Sequence, residues 1–74
     1  MNLTDFISNF ADLFDETDPE SINADTRFHD LEEWDSLAAL GLIALAKTTY
    51  GKTITGEAIK EAETVRDLFD ILSA

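Results

Sequence analysis

The stretch LEEWDSLAALGLIALAKTTYG, residues 31–51, decides the fold, because a short acidic segment gives way in it to an almost wholly apolar one. Residues 36–50 are predicted to form a helix, with Asp35 or Ser36 as the N-terminal cap. Gly51 follows at the position where helices commonly end in glycine. Apolar residues recur at the spacing of one helix face, which predicts that this helix packs into a core. These residues are Ala39, Leu42, Ile43, Ala46 and Tyr50.

A second apolar face runs down the same helix, beginning directly after Ser36. It consists of Leu37, Leu40, Gly41 and Ala44. A central helix of a bundle can be buried on most sides, and that would account for these residues without any function. Alternatively they form an exposed stripe for docking, or the edge of an apolar cavity. Leu37 is one residue from the helix start, so it is the residue we expect to be most exposed.

Helical spacing also marks the segments on either side of this helix. Residues 3–15 predict an amphipathic first helix. A connection of about 20 residues then runs from about residue 15 to Trp34, longer than most loops in compact domains, and Pro19 within it forbids a continuing helix. Residues 56–61 predict a short helix, and Thr64 begins a last helix that runs to about Leu72. Thr64 and Asp67 have the spacing of a capping box. We therefore expect a single all-α domain over residues 1–74: a small bundle of three longer helices and one short one, with a long loop between helices 1 and 2.

Charge divides the chain at Ser36. Residues 1–35 carry eleven acids and one base, Arg27, whereas residues 36–74 carry five acids and four bases. The net charge of −11 disfavours nucleic acid and anionic membranes as partners, because both require Lys/Arg patches. It favours partner proteins with basic surfaces. The longest apolar run, residues 37–46, is too short to span a bilayer, which needs about 20 residues.

Hydrolytic and metal chemistry both find little support in the sequence. Ser36 lacks the flanking glycines of G-x-S-x-G, and the single histidine, His29, is expected to be a solvated loop residue. An EF-hand counted from Asp15 fails, because Glu20 stands where glycine is needed and Thr26 where glutamate is needed. We therefore predict no catalytic residue and no metal site. A phosphodiester on Ser36 would instead be tolerated at the positive end of a helix, and a plain helix cap is the competing interpretation.

The segment EWDSLAALGLIALAKTTYGKTI, residues 33–54, resembles the phosphopantetheine attachment region of acyl carrier proteins. The likeness extends to the first helix, the long acidic loop and the Thr64-Val65 pair that opens the last helix, so it covers nearly the whole chain. It implies that Ser36 accepts phosphopantetheine from coenzyme A, through a phosphopantetheinyl transferase that uses magnesium. It also implies that Asp35 helps the transferase reach the metal-bound phosphate, and that the chain itself is not an enzyme. The arm then carries acyl groups as thioesters, which explains how a chain without cysteine can serve as a carrier.

Docking is where the chain departs from that family. Relatives of primary fatty acid synthesis usually carry acids along the second helix, but residues 36–50 contain none. We therefore expect partners to dock through the apolar stripe, with steering from acids before Ser36, including Glu32 and Glu33. Trp34 is predicted either to cover the attachment serine or to anchor the loop on the bundle.

Several functions remain open at the level of sequence. The leading one is an acyl carrier protein of fatty acid or polyketide-like synthesis, including a specialised pathway, working with acyl-processing enzymes that have basic or apolar docking patches. The alternative is a carrier of activated amino acids, either a D-alanyl carrier, which tolerates Trp-Asp-Ser-Leu, or a stand-alone peptidyl carrier. A more distant alternative is an unmodified acidic interaction module. The start MNLTDFISNF shows no signal peptide, and we expect a cytoplasmic monomer.

Overall fold

The computed structural model describes residues 2–74 and contains four α-helices and two single 3-10 turns. The helices are α1 (Leu3–Ala11), α2 (Ser36–Tyr50), α3 (Gly56–Glu61) and α4 (Val65–Ser73), and the 3-10 turns are Pro19–Ser21 and Phe28–Asp30. No strand occurs in this part of the chain. The prediction of an all-α bundle with three longer helices, one short helix and a long loop after the first is confirmed.

Helix α1 is shorter than the predicted span of residues 3–15. Asn2 caps its start, because the side-chain oxygen accepts the Thr4 amide at 2.8 Å. After Ala11 the chain tightens into bonds of the 3-10 type, from the Leu13 amide to the Phe10 carbonyl and from the Phe14 amide to the Ala11 carbonyl. The last turn of α1 has no basic residue, and Asp12 and Asp15 follow it. Acids at the C-terminal end of a helix interact unfavourably with the negative end of its dipole, so they disfavour a longer helix.

The long loop is fastened to the start of α4. The Val65 amide donates to the Thr26 carbonyl at 3.1 Å, and the Arg66 amide donates to the Ala24 carbonyl at 2.9 Å. These amides have no partner within their own helix, so the loop satisfies them. Ile22 and Phe28 are buried, so the loop packs onto the bundle.

Helix α2 has the predicted bounds. The Asp35 carboxylate caps it by accepting the Ala38 amide at 2.8 Å, so the cap is Asp35 and not Ser36. At the other end Gly51 adopts a left-handed conformation with φ of 64°, which other residues adopt only at a cost. The Lys52 amide then donates to the Ala46 carbonyl at 2.9 Å and closes the helix end.

The core is built around aromatic rings from α1 and the loop. Phe6, Phe10 and Phe28 are fully buried. Of the predicted core stripe on α2, Leu42 and Ala46 are fully buried, and the other members are partly buried. Helix α4 contributes the remaining fully buried side chains, namely Val65, Leu68 and Leu72. The reciprocal capping box between Thr64 and Asp67 is present, as predicted.

Candidate functional site

Ser36 is the first residue of α2, and its side chain is exposed. Because Asp35 fulfils the capping role, the Ser36 hydroxyl is not needed to cap the helix. Amides in the first turn of a helix point towards its N-terminus and, together with the dipole, favour an anion there. The position therefore suits a hydroxyl that carries a phosphate ester.

A groove lies beside Ser36 on the side of α3. Its walls come from the segment that leads into α2, from the first turn of α2, and from α3, which lies about 20 residues further along the chain. The lining residues are His29, Trp34, Asp35, Ser36, Ala39, Gly56, Ile59 and Lys60. This groove is mostly apolar, and Lys60 is the only Lys or Arg among these residues. An arm attached to Ser36 would have an apolar surface beside it and a cation within the same groove.

Trp34 combines the two roles that the sequence left open. Its ring lies edge-on to Phe28 at 4.8 Å between centroids and stacks on Phe10 at 6.2 Å, so it anchors the loop on the aromatic core. The same side chain also lines the groove that contains Ser36. The anchor prediction is therefore confirmed, and the indole is also part of the surface next to the serine.

His29 lies in the same groove but is already engaged. Its Nε2 is 2.9 Å from the Ala62 carbonyl, the residue that ends α3. Its ring also packs against that of Phe28, at 4.2 Å between centroids. The residue is exposed, as predicted, yet it is tied to α3 rather than free in a loop. The hydrogen bond to a backbone carbonyl gives His29 a structural role at the groove wall.

A second groove lies on the other side of the α2 start, towards the end of α1. Leu37 and Gly41 line it together with Leu13, and Asp15 and Asp35 are at its edge. A Cβ on Gly41 would sit 3.3 Å from Leu13 Cδ2, so the glycine lets this leucine approach α2 closely. The close contact at Gly41 is therefore made by a residue of the same chain.

The apolar stripe of α2 is largely open to solvent. Leu37 is 75% exposed and Leu40 is 61% exposed, and Ala44 is also exposed, whereas Gly41 is partly buried. Two large aliphatic side chains on one exposed surface are uncommon without a binding role. The expected exposure of Leu37 is confirmed, and the interpretation that α2 is buried on most sides is wrong at Leu40 and Ala44.

Glu33 has a role that the sequence did not reveal. Its carboxylate accepts the Glu16 amide at 2.8 Å, the Asp15 amide at 3.2 Å and the Thr17 hydroxyl at 2.8 Å. These bonds link the turn after α1 to the segment that leads into α2. The contacts join residues 16 to 18 positions apart, so no local sequence pattern signals them. Glu32, in contrast, is exposed.

The comparison with known families agrees with this geometry. The sequence model of the phosphopantetheine attachment site family matches residues 5–72. The chain therefore belongs to this family of acyl and peptidyl carrier proteins, whose domain is the site of covalent phosphopantetheine attachment. Carrier domains of the family work with a phosphopantetheinyl transferase and acyl-processing enzymes and are themselves non-catalytic, so this protein is a carrier and not an enzyme.

No curated protein and no solved structure shows significant similarity to the chain. None of the helices described in residues 2–74 combines the length and the hydropathy of a membrane span. The family assignment therefore rests on the phosphopantetheine attachment signature, supported by the position of Ser36 at the start of α2.

Proposed function

We propose that Ser36 is the residue to which phosphopantetheine is attached. The observation that carries this proposal is an exposed serine at the first position of α2, with the helix cap supplied by its neighbour Asp35. The phosphodiester would lie at the positive end of α2. When bound, the arm supplies the thiol that holds cargo as a thioester. Asp35 uses one oxygen to accept the Ala38 amide, and its exposed side chain stays within reach of a transferase and its metal-bound phosphate.

The cargo we propose is an acyl intermediate of fatty acid or polyketide-like synthesis, whether of a primary or a specialised pathway. The support is the apolar character of the groove beside Ser36, which suits an acyl group better than a strongly polar one. A D-alanyl carrier is the second candidate, because such carriers tolerate the Trp-Asp-Ser-Leu arrangement found at residues 34–37. A stand-alone peptidyl carrier is less favoured, because Glu33 and Trp34 stand where peptidyl carriers usually have glycines. The genes beside this one would discriminate: ketosynthases favour acyl cargo, and an adenylating enzyme favours an amino acid.

Partner enzymes are proposed to dock on the exposed stripe of α2. Leu37, Leu40 and Ala44 supply apolar contact, whereas the space at Gly41 is filled by Leu13 of the same chain. The exposed acid Glu32, near the Ser36 end, would steer a basic edge of the partner towards the arm. Glu33 is left out of this surface, because its carboxylate is used within the chain.

The protein is proposed to work as a cytoplasmic monomer with one carrier domain. A net charge of −11 disfavours close association between copies of the same chain. The match to the family over residues 5–72 has the extent of one carrier domain. The absence of cysteine is compatible with a reducing compartment.

Intact mass measurement tests the attachment directly. The unmodified protein is incubated with coenzyme A, magnesium and a broad-specificity phosphopantetheinyl transferase. We expect the mass gain of one phosphopantetheine, its absence in Ser36→Ala, and its retention in Ser8→Ala, which removes an exposed hydroxyl from α1. Absence of the gain in the folded parent, or a gain in Ser36→Ala, would rule out Ser36 as the attachment residue.

A further inference from the structure

A third groove lies between α3 and α4, away from Ser36. It is lined by Ala58, Glu61, Ala62, Asp67, Asp70 and Ile71, and we refer to it as the α3–α4 groove. None of these residues lines either groove beside Ser36. Each residue of a helix is turned by about 100° from the one before. Gly56, Ile59 and Lys60 therefore face the groove that contains Ser36, whereas Ala58, Glu61 and Ala62 face the opposite way.

The α3–α4 groove has an apolar surface. Ile71 is 37% exposed and is one of three large hydrophobic side chains recorded as exposed in residues 2–74. The other two, Leu37 and Leu40, belong to the α2 stripe. Ala58 is partly buried and Ala62 is almost fully buried beside it. Ile71 is therefore the large apolar contact available to a partner on this side of the described molecule.

Carboxylates surround that apolar surface. Glu61 and Asp70 are exposed, and Asp67 is partly buried. Asp67 accepts the Glu63 and Thr64 amides at 3.0 and 3.1 Å, which lowers its pKa and keeps it charged at neutral pH. The two ion pairs recorded in the described part of the chain both belong to Arg27, and neither includes a carboxylate of this groove. Arg66 precedes Asp70 by four residues on α4 but makes no recorded ion pair with it.

We propose that the α3–α4 groove docks a cationic amphipathic segment of a partner protein. An apolar side chain of that segment would pack on Ile71, and its Lys or Arg residues would pair with Glu61, Asp67 and Asp70. Charge complementarity selects this occupant. The apolar surface is bordered by three acids that form no ion pair within the described residues, and such a surface favours a basic amphipathic partner. A second copy of this chain is disfavoured, because its own net charge is −11.

The consequence is that two partners can bind at once. The α3–α4 groove shares no lining residue with the α2 stripe or with the Ser36 grooves. One protein can therefore bind the α3–α4 groove while another binds near Ser36. The proposed docking does not depend on the proposed attachment at Ser36, so an experiment can contradict one of these proposals and leave the other intact.

The test uses the unmodified full chain and a synthetic basic peptide. The peptide has about 18 residues, enough to form a helix in water, with Leu on one face and Lys beside it. A scrambled peptide of the same composition controls for general attraction to an acidic protein. Backbone amide NMR shifts are followed during titration at physiological salt, where long-range attraction is screened. We expect the largest shifts at the residues lining the α3–α4 groove, and weaker binding of the scrambled peptide.

Two variants make the result decisive. Asp70→Lys reverses an exposed charge, and Ile71→Ser removes the apolar contact; each is expected to weaken binding about tenfold, or roughly 1.4 kcal/mol. Glu20→Lys, which changes an exposed acid of the long loop outside the groove, is the matched control and should bind nearly as well as the parent. If the circular dichroism spectrum shows that Ile71→Ser disturbs the fold, the test relies on Asp70→Lys, which changes an exposed residue.

Other outcomes would overturn the proposal. The largest shifts could fall on α2 or on the acidic loop instead, or the scrambled peptide could bind equally well. The transferase assay, repeated with peptide present, gives a second readout. We expect the rate of modification to be unchanged, because the two surfaces lie on opposite faces of α3. Inhibition would show that the peptide covers Ser36 rather than the α3–α4 groove.

Discussion

Glu33 and Glu16 are in direct contact although both are acids, because Glu33 Oε1 accepts the backbone amide of Glu16 at 2.8 Å. The same carboxylate also accepts the Asp15 amide and the Thr17 hydroxyl. Amide donors thus offset negative charge in a region that has almost no cations. The contact holds the turn after α1 against the segment that presents Asp35 and Ser36.

Removal of this carboxylate should destabilise the fold. We expect Glu33→Ala to lower the free energy of unfolding by about 1.5–3 kcal/mol, the scale of hydrogen bonds to a charged group. Urea denaturation followed by circular dichroism measures it. Glu32→Ala is the matched control, because Glu32 is an exposed neighbour, and it should be nearly neutral. Equal losses in the two variants would contradict the structural role of Glu33.

Charge placed on the α2 stripe should weaken partner recognition without unfolding the helix. Leu37 is 75% exposed, so Leu37→Asp should leave helicity almost unchanged. An acid in the first turn also suits the helix dipole. We expect kcat/KM of the phosphopantetheinyl transferase to fall about tenfold, or roughly 1.4 kcal/mol.

Thr53→Asp is the control for Leu37→Asp, because it adds the same charge at an exposed position outside α2. Its transferase kinetics should match those of the parent. Loss of helicity in Leu37→Asp would mean that Leu37 supports the core. Unchanged kinetics in Leu37→Asp would place partner docking on another surface.

Replacement by alanine should have opposite effects on stability at Gly41, inside α2, and at Gly51, which ends it. Gly41 is inside the helix, where alanine is more favourable by about 1 kcal/mol. The new Cβ would press on the end of the flexible Leu13 side chain, which can move aside. Gly51 has φ of 64°, and a side chain there costs about 1–2 kcal/mol. Thermal unfolding should show a higher Tm for Gly41→Ala and a lower one for Gly51→Ala; a lower Tm in both would mean that Leu13 is held rigidly.

The contribution of the Asp67 carboxylate to the stability of the fold should be lost in acid. The Glu63 and Thr64 amides lower the pKa of Asp67 in the folded state below the ordinary value of about 3.9. Its carboxylate therefore stabilises the fold above that pH, and the effect disappears as pH falls through the folded pKa. We expect Asp67→Asn to be less stable than the parent at pH 7 and to approach it in strong acid. Urea titrations across the acid range test this, and a difference that does not change with pH would contradict it.

Sequence reasoning succeeded where the signal is local. The start and end of α2, the short α3 and the Thr64–Asp67 capping box all follow from residues within a few positions of one another. Each has a specific physical basis, such as a side chain that accepts an amide or a glycine with positive φ.

The features that sequence reasoning missed depend on distant contacts. The Glu33 bonds and the hydrogen bonds from the loop to α4 join segments far apart in the chain. The α3–α4 groove likewise exists only because two helices pack together. The early end of α1 was missed for another reason: Leu13 and Phe14 continue the apolar spacing, and Phe14 is buried, although the backbone there is no longer α-helical.

Trp34 gives this protein an optical probe of its own. It is the only tryptophan in the chain, and its indole connects the aromatic core with the groove that contains Ser36. Its fluorescence should therefore respond both to unfolding, which exposes the ring to water, and to an arm or cargo entering the groove. The chain has no cysteine to which a dye could be attached, so we expect this intrinsic emission to be the label-free signal by which loading is followed.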